Sequence, residues 1–124
     1  MPLSPIDWFA IIKYSAGYIG NNMHPVVVSL HNGVPLFSFD NYGLRSLNNL
    51  ISSDKSSKIR HILSLAGLLD YRISILKKDH SIAPADVLDK LLSFPIDKET
   101  SFAKERENAY METMQKILTL IKQQ

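Results

Sequence analysis

The stretch "GYIGNNMHPVVVSLHNGVPLFSFDNYG", Gly17–Gly43, decides how the chain is read. Gly17 ends a preceding helix, and Tyr18–Gly20 has room only for a short strand. Pro25 stands where a helix can open, because proline is tolerated in a first turn whose N–H groups lack helical partners. Val26–Leu30 is apolar, and Gly33 followed by Val34 and Pro35 is a helix stop. "PLFSF", Pro35–Phe39, then reads as a buried strand that empties into the loop Asp40–Gly43. Three consecutive valines pull toward strand by propensity, but the punctuation on either side of them favours a helix. A strand, a helix and a second strand in succession predict parallel pairing, and with it an α/β fold.

Working outward, Ser4, Pro5 and Asp7 supply a capping hydroxyl, a first-turn proline and a first-turn acid, so a helix is expected from there to Gly17. Beyond Gly43, Leu44–Ile51 can be a short helix or an ordered loop, and "SSDKSS", Ser52–Ser57, is polar. Ser56 or Ser57 can cap a helix running through Leu65 and ending at Gly67. Leu68–Leu76 is apolar and ambiguous. Pro84 opens a helix through Leu92, Pro95 breaks it, and about Lys98–Lys122 forms one long helix. Phe102, Ala109, Tyr110, Met114, Ile117, Leu118 and Ile121 are its stripe, expected, like Trp8, to be core rather than binding surface. Two short parallel strands do not make a stable sheet. Either a strand hides near Leu69–Leu76, or residues 1–124 are one domain from the C-terminal part of a larger α/β protein; the second is the expectation.

The chain has 124 residues, 45% hydrophobic and 21% charged, with a formal charge of +2 from 14 basic and 12 acidic side chains. That fits one folded domain. The charges are scattered, so no basic arm marks a nucleic-acid binder. Without cysteine there is neither a disulfide framework nor a thiol nucleophile, which fits a reducing cytoplasm. The N-terminal stretch has no basic n-region and no run near the ~20 apolar residues of a membrane span, so neither signal peptide nor anchor is expected.

In an open α/β sheet, ligands bind outside the carboxyl ends of the strands, where the next helix begins. Gly20, Asn21, Asn22 and His24 fall there after the first strand, and Asp40, Asn41 and Tyr42 after the second. Unpaired N–H groups and the helix dipole favour an anionic ligand, and histidine can donate a proton near neutral pH. The competing reading is punctuation: His24 caps a helix, Gly20 and Gly33 permit turns, and Asp40 merely ends a strand. On residue chemistry alone punctuation leads. Ser57 and Lys58 open the next helix and are a secondary anion candidate, against a plain solvated loop. His31 would lie about 10.5 Å along the helix from His24, too far for one metal ion with bonds of about 2.1 Å to nitrogen, so no metal site is read. "KERE", Lys104–Glu107, reads as a solvated helix face, and no GxSxG, GxGxxG, P-loop or HExxH motif occurs.

The run Tyr18–Gly43 resembles the C-terminal region of the polysaccharide pyruvyl transferase family. The matching positions are Gly20, Asn22, Met23, His24, Gly33, Val34, Pro35, Ser38, Phe39 and Asp40, and "SSKI", Ser56–Ile59, and the closing helix are also similar. The resemblance implies the helix-rich C-terminal part of a Rossmann-like, GT-B-type lobe, with a further N-terminal lobe as its partner. It also implies transfer of pyruvate from phosphoenolpyruvate, as donor substrate, to hydroxyls of a saccharide acceptor, forming a ketal in bacterial surface polysaccharide synthesis. His24 is then the catalytic candidate, as proton donor or phosphate contact. Gly20, Asn22, His24, Asp40, Ser57 and Lys58 are the donor-binding candidates, without a cofactor. The family places arginine where this chain has Asn22, so a single amide hydrogen bond replaces a bidentate charged contact, with Lys58 or Arg45 as compensating cations. The isolated chain is expected to be inactive. Two rival readings remain: a sugar-nucleotide glycosyltransferase lobe, and a non-catalytic module whose last helix docks on a partner. An open sheet edge also allows a homo-oligomer.

Overall fold

A computed structural model of the chain describes residues 3–40, 57–74 and 81–123. Helix α1 (Pro5–Lys13) opens with a reciprocal cap, in which Ser4 Oγ accepts the Asp7 N–H at 3.2 Å and the Asp7 carboxylate accepts the Ser4 N–H at 2.9 Å. Strand β1 (Tyr18–Gly20) leads into helix α2 (Met23–Asn32), and strand β2 (Leu36–Asp40) follows. The valines therefore lie in a helix, as the punctuation predicts. Gly33 closes α2 in the left-handed conformation at φ 64°, where a side chain would be strained. The helix starts two residues before Pro25, so His24 sits inside its first turn and does not cap it.

Helix α3 (Lys58–Leu65) is capped by Ser57, whose Oγ accepts the Arg60 N–H at 3.0 Å. After Gly67, a single 3-10 turn at Leu69–Tyr71 leads into strand β3 (Arg72–Ser74). This is the strand that the ambiguous run Leu68–Leu76 conceals. At three described residues, Arg72, Ile73 and Ser74, it is too short a run to mark a strand in sequence. Helices α4 (Pro84–Leu92) and α5 (Ile96–Lys122) complete the chain, and α5 begins directly after Pro95. Asn41, Tyr42, Arg45, Leu44–Ile51 and most of "SSDKSS" lie outside the described residues.

The fold is α/β: a sheet in the order β1-β2-β3, all parallel, with Ile19 opposite Phe37 and Phe39 opposite Ile73. Both crossovers step the same way across the sheet, so right-handed connections put α2 and α3 on one face. Leu36, Ser38 and Asp40 share one side of β2 by strand alternation. Leu36 joins Val26 and Leu30 of α2 and Ile59 and Leu63 of α3 in the core. Phe37 and Phe39 occupy the other side, with ring centroids 5.1 Å apart, and α4 packs on β2 as well.

Among the described residues, the first part of α5 packs on the body. It packs along α2, and Lys98 Nζ donates to the Gly67 carbonyl at 2.8 Å. Glu99 and Ala103 are its buried residues. Glu99 is fully buried with both carboxylate oxygens unpartnered, and burial pushes its pKa up to about 8. Beyond Ala103 the helix is exposed, and Tyr110, Met114, Ile117, Leu118 and Ile121 point away from any packed neighbour. Of the expected stripe, Phe102 packs against the core, but the residues from Ala109 onward do not join it, and Trp8, 54% exposed, is not core either.

Candidate functional site

The carboxyl ends of the three strands are Gly20, Asp40 and Ser74. At β1, Tyr18 folds back so that its Oη accepts the Asn22 N–H at 3.2 Å. A Cβ on Gly20 would stand 2.3 Å from that Oη, so glycine lets the ring lie across the turn. Asn22 is the N-cap of α2, with extended backbone at φ −100° and ψ 136°, yet its side chain makes no capping bond. The third helical residue is Pro25, so one of the two N–H groups a capping side chain can use is missing. The first-turn N–H groups of Met23 and His24 therefore face outward without a side-chain cap, with the positive end of the helix dipole behind them. His24 is exposed beside them. It lines a cavity of about 280 Å³ with Trp8, Phe9 and Ile12 of α1, and with Asn22.

Asp40 ends β2 almost completely buried, and both its oxygens are taken. Arg72 Nε donates to Oδ2 at 3.0 Å, Arg72 Nη2 donates to Oδ1, and Ser57 Oγ donates to Oδ2. A carboxylate so committed, and itself negative, is not a contact for an anionic donor. It pins the start of α3 and the start of β3 to the end of β2. Ser57 is likewise spent, since its oxygen both caps α3 and bonds Asp40. The sequence reading missed Arg72, although an aspartate closing an apolar strand is a signal that a counter-charge must be supplied.

Lys58, exposed, opens into a different space. A groove of about 640 Å³ is lined by α2, α3 and the first part of α5, with Lys58, His61, His31 and Arg106 around it. The expected site residues thus divide. Asn22 and His24 share the α1–α2 cavity, Ser57 and Lys58 border the α2–α3 groove, and Asp40 lies beneath, joined to Ser57. Among the described residues, no group of three or more histidine, aspartate or glutamate side chains is placed to hold a metal ion. Nor is any helix there long and apolar enough to cross a membrane. Compared with family models, curated proteins and solved structures, the chain gives no match.

Proposed function

We propose that this chain is the donor-binding part of a GT-B-type pyruvyl transferase lobe, acting on phosphoenolpyruvate and a saccharide hydroxyl. The supporting observation is the start of α2: two first-turn N–H groups uncapped at the carboxyl end of a parallel sheet, with the His24 imidazole exposed beside them. Phosphoenolpyruvate carries a phosphate and a carboxylate, both suited to those N–H groups. His24 protonates the donor methylene as a sugar hydroxyl adds to the neighbouring carbon. Phosphate then leaves, and a second hydroxyl of the same sugar closes the ketal. Asn22 contributes one amide donor where a charged fork would contribute two. The Asp40–Arg72–Ser57 cluster holds the strand ends and α3 in place around this turn.

Titrating the isotope-labelled chain with phosphoenolpyruvate tests the reading by binding, independently of turnover. Saturable shifts of the Met23 and His24 amides are expected, with about tenfold weaker binding in His24→Ala. Absence of those shifts, or equal binding by His24→Ala, removes the assignment. The same footprint from a nucleotide sugar, with none from phosphoenolpyruvate, transfers it to a sugar-nucleotide lobe.

A further inference from the structure

The groove between α2 and α3 shares Met23 with the His24 cavity but has a different lining otherwise. Its floor is apolar, made by Met23, Val27 and Leu30 of α2, Ile62 and Leu65 of α3, and Phe102 of α5. These recur every three or four residues on α2 and α3, so each helix turns one continuous apolar line toward the gap. Apart from the Ser57 hydroxyl, which is taken up by Asp40 and the α3 cap, the polar side chains around that floor are basic. Lys58 and His61 stand one turn apart on α3, His31 lies on α2, and Arg106 lies on α5 with its guanidinium 5.2 Å from the Phe102 ring centre. No acid is among the described residues lining the groove, in a chain with 14 basic and 12 acidic residues. The surface therefore selects a ligand that is apolar along its length and negative at a head.

Size narrows the occupant. The groove follows α2 from Met23 to His31, which at 1.5 Å per residue is about 12 Å, and Phe102 and Ala103 of α5 also line it. The groove holds about 640 Å³. A single extended hydrocarbon chain fits, and the volume lies in the range of small-molecule sites. Lys58 and His61 line the groove from the first half of α3, where the helix dipole also favours negative charge.

We propose that this groove binds a free single-chain carboxylate amphiphile, with its head at Lys58 and His61 and its tail lying along Val27, Ile62 and Leu65 toward Phe102. The test uses dodecanoate below its micellar concentration, added to the isotope-labelled 124-residue chain. Saturable shifts of Lys58, His61, Val27, Ile62, Leu65 and Phe102 are expected, and dodecyltrimethylammonium should leave those signals in place. Lys58 and His61 are both exposed, so Lys58→Glu combined with His61→Glu should keep the fold, checked by unchanged amide dispersion, and weaken dodecanoate binding at least tenfold. Leu65, 51% exposed, provides an independent variant: Leu65→Asp should weaken binding without touching a cation. The proposal fails if dodecanoate gives no saturable shifts in the groove, if the cationic amphiphile binds there equally well, or if the charge reversals leave affinity unchanged. It also fails if groove signals respond only to anionic vesicles, or only to chain concentration through pairing with a second copy.

Discussion

Arg72, 6% exposed, grips both oxygens of Asp40, 2% exposed, across 32 positions of sequence. The pair ties the last residue of the central strand to the first residue of its neighbour. With Ser57 on the same carboxylate, three segments meet at one buried charge.

Removing Asp40 takes from the buried Arg72 guanidinium a carboxylate that it holds at two points. Asp40→Ala is expected to lower stability by about 3–5 kcal/mol, read from urea unfolding. Replacing both partners, as Asp40→Leu with Arg72→Met, should recover much of that loss, because an apolar pair of similar volume avoids desolvation. If the double variant is as unstable as Asp40→Ala alone, the pair is not what holds these strands.

Ser57→Ala removes a helix cap and a hydrogen bond to a charged oxygen together. A loss of about 1–3 kcal/mol is expected, larger than for a solvent-exposed cap. In Asp40→Ala, whose acceptor is gone, the same substitution should cost less. A double-mutant cycle gives the coupling directly.

Glu99 links stability to pH through its raised pKa. The folded chain keeps the proton up to about pH 8, whereas a free glutamate releases it near 4.5. Between those values the folded state binds more protons than the unfolded state, so stability falls as pH rises through that window. It is greatest below 4.5 and fully reduced above about 8. Glu99→Gln should flatten that slope and make the chain more stable than the parent at pH 8, by thermal unfolding across the range.

Gly33 closes α2 at φ 64°, and an added Cβ would lie 3.3 Å from Thr100 Cγ2 on α5. Gly33→Ala should therefore cost about 1–2 kcal/mol from backbone strain alone. Thr100→Ser, which removes the crowding methyl, should leave that backbone part intact. Equal stability of Gly33→Ala and the parent in denaturant titration contradicts the strain.

What the sequence made legible is what depends on neighbours along the chain. Ser4, Pro5, Gly33, Ser57, Pro84 and Pro95 mark helix boundaries within one or two residues because caps and stops act locally. The β1–α2–β2 order followed from the same punctuation. Hidden were features that arise only from pairing at a distance. The three residues of β3 are a strand because β2 lies beside them, not because of their own pattern. Arg72 gains its role from a carboxylate 32 residues away. His24 and Lys58, both expected at an anion site, open into different cavities because α1 and α5 enclose different sides of α2. The stripe on α5 obeys helical spacing as a core stripe would, since periodicity says which face is apolar and not whether anything covers it.

The far half of α5 has a thermodynamic consequence of its own. From Lys104 onward its described residues are exposed, so among the described residues its own turns are its main support. A segment of that length is marginal by itself in water, helped by small local terms such as Glu112 placed four residues before Lys116. Its amide protons should exchange in a gradient, slowest near Glu99 and fastest toward Lys122. A surface that engages Met114 and Ile117 would also complete the helix it binds, so part of its association energy would be spent on ordering and would appear as slowed exchange several turns away.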